Sequence, residues 1–436
     1  MQRSEARGGA DSVYFPLSFI GRRGGYGVEL QLQYLGARRA RRSIFPGHDD
    51  LQCKTLSPML VGPRATPFAA VILLAMTAGA YSAVLSAPDL AGAAGQSMIA
   101  SLSLDSEGQA VSGLQFDLDW DDTLDVRIFA GDRLRQSSRV LYSSPVKPRG
   151  VRYLIIGMDQ GILSDGELLK AFVTVSSGSQ PGTARIRVTN AVATDAGGRP
   201  IAVRFAPVNV KIQGGGTAVS LLSQGVLNAA SLLPGAISPG MVITLLGYFR
   251  SAAPVLFFNG IQAPTLYAGP GQVNAIVPFA LSVGPIATLE VRGDGQPTAS
   301  LPLATAPVSP AVFTQAGTGI GPGAILNEDY SGNSFLNPAA AGSVVMVYGT
   351  GFGSLDPPAA DGEIAGFPAR TTLPVSASIG DLPAEVLYAG AAPGLVAGVV
   401  QVNLRIPSGL APNLAAPVSV TIGSATTPAG VTVSIR

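Results

Sequence analysis

Within residues 111–122, VSGLQFDLDWDD, apolar and polar positions alternate from Leu114 to Asp121. Leu114, Phe116, Leu118 and Trp120 fall on one side; Gln115, Asp117, Asp119 and Asp121 fall on the other. That period of two belongs to a strand with one buried and one wet face. It places Trp120, the only tryptophan of the chain, on the buried side. Further strand-like runs stand at 97–104, 124–129, 151–157, 168–175, 183–188 and 201–212. Turn-forming stretches separate them: Asp105-Ser106-Glu107-Gly108, SSGSQPG at 176–182, and Asp195-Ala196-Gly197-Gly198. Short strands with turns at this spacing predict a β-sandwich or jelly roll over 84–213.

A glycine-rich stretch, 214–218, reads as a linker. Beyond it the chain repeats itself. NGIQAPTLYAGPGQVNAIVP (259–278) answers IGDLPAEVLYAGAAPGLVAGVVQVNLRIP (379–407). Tyr267 corresponds to Tyr388, and Gln272-Val273-Asn274 to Gln401-Val402-Asn403. Upstream, SPGMVITLLGYF (238–249) answers AGSVVMVYGTGF (341–352). Two such strand–glycine–strand units predict two further sandwiches, 219–310 and 311–436. Gln272 and Asn274 are expected to satisfy backbone groups at a sandwich rim. Tyr267 and Tyr388 are expected in the core, with hydroxyls reaching the backbone. Gly349-Thr350-Gly351-Phe352-Gly353 follows an apolar strand. The next residues, Ser354-Leu355-Asp356-Pro357-Pro358, start no helix, so this is a turn rather than a phosphate loop.

Composition fits the pattern. Of 436 residues 54 are Gly and 34 Pro, and 13% are charged; this suits short strands joined by tight turns and disfavours long helices. The formal net charge of +1 hides a split. Residues 1–83 hold ten of the 28 Lys+Arg and five of the 27 Asp+Glu, leaving a body with a net of −4. A mildly acidic body has no electrostatic reason to bind nucleic acid.

The only His and Cys, His48 and Cys53, precede 59–83, MLVGPRATPFAAVILLAMTAGAYSA. There Arg64 leads into an apolar run at 68–80 that is too short to span a bilayer. Small residues follow for cleavage near Ser82 or Ala83, so the stretch reads as a signal peptide. The expected product is secreted, extracellular or at the cell surface, with no membrane span after cleavage. Without imidazole or thiol it has no Ser-His-Asp or Cys-His catalysis, no zinc site built on His or Cys, and no disulfide. Residues 1–58, with Arg38-Arg39-Ala40-Arg41-Arg42, lack periodicity. They read as a disordered upstream extension, with Met59 the true start.

The run VSGLQFDLDWDDTLDV resembles the early strand of cohesin domains, and RYLIIGMDQGILSDGELLKAFVTV and TARIRVTNAVATDAGGRPIAV resemble later cohesin strands. The resemblance implies a jelly roll that binds a dockerin-like protein. Because the fold is shared with some carbohydrate-binding modules, a polysaccharide is the other implied ligand. In cohesins the outward face of the early strand lies in the partner interface; the matching positions are Gly113, Gln115 and Asp117, with Asp119 next on the same face. Cohesins often carry Asn and Asp where this chain has Gly113 and Gln115. NAASLLPGAISPG, GQVNAIVP and LNPAAAGSVVMVYGTGFG resemble IPT/TIG-type Ig-like domains and the C-terminal module of secreted proteins of Solibacter-type Acidobacteria. The expected fold class is therefore all-β: a cohesin-like jelly-roll sandwich followed by two Ig-like β-sandwiches acting as spacer or surface attachment.

The ladder Asp117, Asp119, Asp121 and Asp122 is expected to be a solvated face. Calcium is the one ion its oxygens would suit. However, successive carboxylates on a strand face stand about 7 Å apart, and Ile128 occupies the twelfth position, where an EF-hand loop needs Glu. No cofactor is expected. Three functions remain: a non-catalytic binding or scaffold protein, a purely structural or adhesive surface protein, and a carboxylate-based glycoside hydrolase. An exposed platform around Gln115 and Asp117 favours the first; a platform covered by its neighbour favours the second.

Overall fold

The computed structural model describes residues 82–436 except 147–149, 158, 215–220, 250–253, 270, 294–295 and 367. His48, Cys53, the arginine run and the leader up to Tyr81 lie outside the described residues. The described chain is nearly all β; its α-helix is a single turn, α1 (Asp132–Arg135). No helix among the described residues is long and apolar enough to cross a membrane.

Eleven strands build the first unit: β1 (Ser82–Ser86), β2 (Leu90–Ala93), β3 (Ser97–Asp105), β4 (Gly113–Trp120), β5 (Leu124–Ala130), β6 (Val140–Pro145), β7 (Val151–Ile156), β8 (Gly166–Val175), β9 (Gly182–Thr194), β10 (Pro200–Phe205) and β11 (Val208–Gln213). Pairing runs β5-β8-β3-β1-β10-β9-β4-β7-β6, and β11 joins β9 to β2. The path folds over on itself. Leu114, Phe116, Leu118, Leu141, Tyr153 and Ile155 from β4, β6 and β7 meet Leu102, Leu104, Val126, Ile128, Leu169 and Val173 from β3, β5 and β8 in one core. Trp120, at the end of β4, is only half-buried against it.

Three local features differ from the sequence pattern. Ser82 and Ala83 belong to β1, and fully buried Ala83 pairs with Val203, so the unit begins ahead of residue 84. The run 201–212 divides into β10 and β11 at Ala206-Pro207, where proline has no N–H for the ladder. Strand β9 continues past Val188 by shifting register at a bulge beside Asn190, whose φ is 51°.

The two repeats share one design. In the first, Val226–Asn228, Val242–Leu246, Gln272–Ile276 and Thr265–Gly269 form a sheet. In the second, Ile325–Asn327, Val344–Thr350, Val400–Arg405 and Leu382–Ala391 rebuild it. Registers coincide: Leu227 faces Thr244 and Leu245 faces Val273, as Leu326 faces Met346 and Val347 faces Val402. A bulge precedes both Tyr267 and Tyr388. The Tyr388 hydroxyl donates to the Ala391 carbonyl at 2.8 Å, although the ring is half-buried rather than in the core. In each repeat the two amides bind each other. Gln272 Nε2 donates to Asn274 Oδ1, and Gln401 Nε2 to Asn403 Oδ1, both at 2.8 Å. Alternate residues share a strand face, which puts the two amides within reach.

The glycine-rich turn after Thr350 is a seam between the repeats. Thr350 Oγ1 accepts from the Val242 N–H at 2.8 Å and donates to the Gly398 carbonyl at 2.7 Å. Gly351, at φ 81°, lies where a Cβ would collide with the Ser309 carbonyl. Val308 already packs in the core of the second repeat, ahead of residue 311.

Candidate functional site

Strand β4 lies between β7 and β9, so its outward side chains sit within the sheet. Register sets rows across β9, β4, β7 and β6. One row is Val192, Gln115, Leu154 and Tyr142; the next is Thr189, Asp117, Arg152 and Ser144. Beyond the first row Ile156 pairs with Val140. Gly113 stands beside them: a side chain there would meet Thr194 Oγ1 at 2.9 Å. Val192 is 46% exposed, and Tyr142 and Ile156 are each 40% exposed. Leu154, Gln115 and Val140 are half-buried between them. Partial burial pushes the Tyr142 phenol up.

This face brings together the four positions singled out by sequence, but their surroundings differ from a solvated acid ladder. Asp117 is buried, at 5% exposure. Arg152 donates through Nε to Asp117 Oδ1 at 2.6 Å and through Nη2 to Oδ2 at 2.8 Å, and Asn190 Nδ2 donates to Oδ2 at 2.8 Å. The Arg152 hydrogen bond, with smaller help from Asn190, holds this carboxyl below the usual range against the opposing effect of burial. Arg187 donates to Asp119 Oδ1 at 3.1 Å and Asp121 Oδ1 at 2.7 Å. The acids are thus held by guanidinium groups, which the sequence pattern could not show because the partners come from β7 and β9. Among the described residues no three His, Cys, Asp or Glu side chains are placed to hold a metal ion.

A pinned loop borders the face. Arg139, on the far side of Ser112, pairs with Asp159 at 2.7 Å and donates to Ser112 Oγ at 3.0 Å and to the Gly161 carbonyl. The loop it fixes carries Ile162, 55% exposed.

The opposite layer is covered over β5 and β8, whereas Ile99 on the adjoining β3 is 38% exposed. Phe172, on β8, is 4% exposed; with Phe129 from β5 it packs against Leu222, Leu227, Leu232 and Leu246 of the first repeat. Arg127 Nη1 donates to Gln272 Oε1 at 2.7 Å. Gly225 has no room for a Cβ, which would lie 3.1 Å from the Phe172 ring and 3.0 Å from the Leu246 carbonyl. At the corner, Arg135 joins three units. It donates to Ala130 O at 3.2 Å, to Ser231 O of the first repeat at 2.8 Å and to Gly319 O of the second at 3.3 Å. Burial pushes this guanidinium down to about 10, so it stays charged at neutral pH. The next residue, Ile320, is 1% exposed and belongs to the core of the first unit.

No protein-family profile matches the chain, and no curated protein matches it. Solved structures of cohesin domains are similar to part of it. The cohesin of a type I cohesin–dockerin complex from Clostridium thermocellum is 17% identical, covering 32% of this chain and 98% of that one, with a TM-score of 0.29. A non-cellulosomal cohesin from the archaeon Archaeoglobus fulgidus is 16% identical over 30% of this chain and 92% of its own, with a TM-score of 0.27. The seventh ScaB type I cohesin from Pseudobacteroides cellulosolvens is 13% identical over 31% of this chain and 96% of its own, with a TM-score of 0.28.

Proposed function

We propose that this chain is a secreted, non-catalytic binding protein whose β6–β7–β4–β9 face receives a protein partner. A dockerin-like module is the partner class that the sequence resemblance implies. One observation carries the reading: the β5–β8 face is buried against the first repeat, while the other displays Tyr142, Ile156 and Val192. An apolar patch rimmed by polar groups marks an interaction site. Its burial would contribute about 25 cal/mol per Å².

The chemistry of the face favours a protein over a polysaccharide. Sugar rings stack on aromatic planes, and of the outward residues in these rows only Tyr142 is aromatic; the other exposed positions are aliphatic Ile156 and Val192 and polar Thr189, Arg152 and Ser144. It also disfavours a hydrolase. A carboxyl acting as general acid needs a raised pKa, whereas the shifted carboxyls of Asp117, Asp159 and Asp329 are all lowered. Secretion rests on the leader pattern at 59–83. A structural or adhesive role is the second reading, favoured by the junction at Arg135.

Isothermal titration of the full chain tests this against dockerin-bearing proteins and against plant polysaccharides. Binding to a dockerin-bearing protein, abolished by Ile156→Asp or Val192→Glu, is the expected outcome. Binding that survives both substitutions, or binding to polysaccharide alone, overturns the reading.

A further inference from the structure

The repeats differ where the first is occupied. Its turn after Asn228 closes by the Asn228 N–H donating to Leu233 O, with Leu232 at a φ of 54°. The second repeat closes the same turn by the Asn327 N–H donating to Ser331 O, with Tyr330 at a φ of 64°. Leu232 packs beside Phe172 of the first sandwich, and the adjacent Ser231 carbonyl accepts Arg135. Tyr330, in the corresponding place, is 58% exposed.

Two insertions sharpen the contrast. Between Gly390 and Gln401 the second repeat is eight residues longer than the first between Gly269 and Gln272. The added segment places Ala392 and Leu395 over Leu326 and Tyr348, covering the surface whose counterpart seats the first sandwich. Between Ser331 and Ala339 it is four residues longer than the first between Leu233 and Ile237. This second insertion makes a tight hairpin, Ser334 to Asn337, whose backbones bond each other. Its tip is Phe335 and Leu336, 57% and 82% exposed. Turn tips ordinarily carry Gly, Asn, Asp or Ser.

The loop is held firmly. Asn333 Nδ2 donates to Asn327 Oδ1 and to Ser434 O, both at 2.9 Å. Asn337 Nδ2 donates to Ser331 Oγ at 2.8 Å and Gly332 O at 3.0 Å, tying the hairpin to the Tyr330 turn. Three large apolar side chains presented on a pre-organised loop form the kind of anchor that binding interfaces use, because little ordering entropy remains to be lost.

We propose that Tyr330, Phe335 and Leu336 dock on the open β6–β7–β4–β9 face of a second copy of this chain. The proposal rests on the reading of that face as a protein-binding surface, and adds a second copy of this chain as an occupant that competes there with a dockerin-like module. The occupant follows from the internal precedent: in the same chain the equivalent turn already sits against an outward sheet face of this sandwich. The open face carries Tyr142, Ile156 and Val192, three of the five large apolar residues that the first sandwich leaves exposed among the described residues. Each copy offers one loop and one face, so the contact is heterologous and builds rings or open chains.

Sedimentation velocity of the full chain, raised in steps to about 1 mM, the weak end of specific association, tests the proposal. Wild-type protein is expected to associate with rising concentration. The loop variant Phe335→Ser/Leu336→Asp and the face variant Ile156→Asp/Val192→Glu, both altered only at exposed positions, are each expected to stay monomeric with unchanged circular dichroism. Mixed together they retain one good loop and one good face, and should form a dimer and nothing larger. A monomeric wild type, or association that persists in either variant, overturns the proposal. The wider reading of the open face is then judged separately, by the titration against dockerin-bearing proteins.

Discussion

On β5 and β8 the outward aromatics Phe129 and Phe172 lie beneath the first repeat, and Phe172 is 4% exposed. On β6, β7 and β9 the outward Tyr142, Ile156 and Val192 stand 40–46% exposed. The two faces belong to one sandwich and both carry apolar side chains. A sheet pair closes its own core with its inward residues; large apolar residues on an outward face call for a cover. Here the chain supplies one cover from its own repeats and leaves the other face uncovered among the described residues. The first unit is therefore no freely hinged module. Arg127, Arg135 and Ile320 lock it to both repeats, so binding studies belong on the whole chain.

The largest effect that would break this comparison is on the covered side. Phe172→Ala should cost about 3–5 kcal/mol, the range for deleting a buried ring, measured by urea unfolding of the full chain. A loss below about 1 kcal/mol would mean the face is not closed. Next is Arg135→Met, which leaves the Ser231 and Gly319 carbonyls without their donor. About 1–3 kcal/mol is expected, as for stranded buried polar groups, and a neutral result would remove the three-unit junction.

The Asp117 ion pair gives a pH signature instead. Its folded-state pKa is depressed, so its contribution is present above the unfolded carboxylate value near ~3.9 and is lost as pH falls through the folded value. Acid unfolding of the wild type should steepen below that value, and Asp117→Asn should lower stability at neutral pH while flattening this acid limb. An identical acid limb in the variant would contradict the assignment. The smallest stability change is expected on the open side. Ile156→Ser and Val192→Ser should stay within about 0.5 kcal/mol of wild type, as exposed substitutions do, while weakening partner binding. A larger loss there would mean that the face is structurally engaged.

Much of this was legible in the chain. The alternation of 111–122 fixed which side of β4 faces the core, and Tyr267/Tyr388 with the two Gln-Val-Asn runs revealed the duplication. The strand β6, VLYSSP, was not legible, because serines and a proline blur its period; with it Tyr142 was missed. Arg152 and Leu154 were inside an expected strand, but their place beside Asp117 and Gln115 depends on register, which a single strand's pattern does not contain. The burial of Asp117 follows from that register. The docking of Phe172 on Leu227 and Leu246 was hidden for the same reason: an outward aromatic reads like any other until its neighbour is placed.

Hydroxyl-radical footprinting of the full chain, alone and mixed with a dockerin-bearing protein, compares the two faces in one experiment. Phe172 should be protected in both samples, and Tyr142 should react in the free protein and lose reactivity in the complex. Phe172 reacting freely, or Tyr142 unchanged when the complex has formed, would contradict the account.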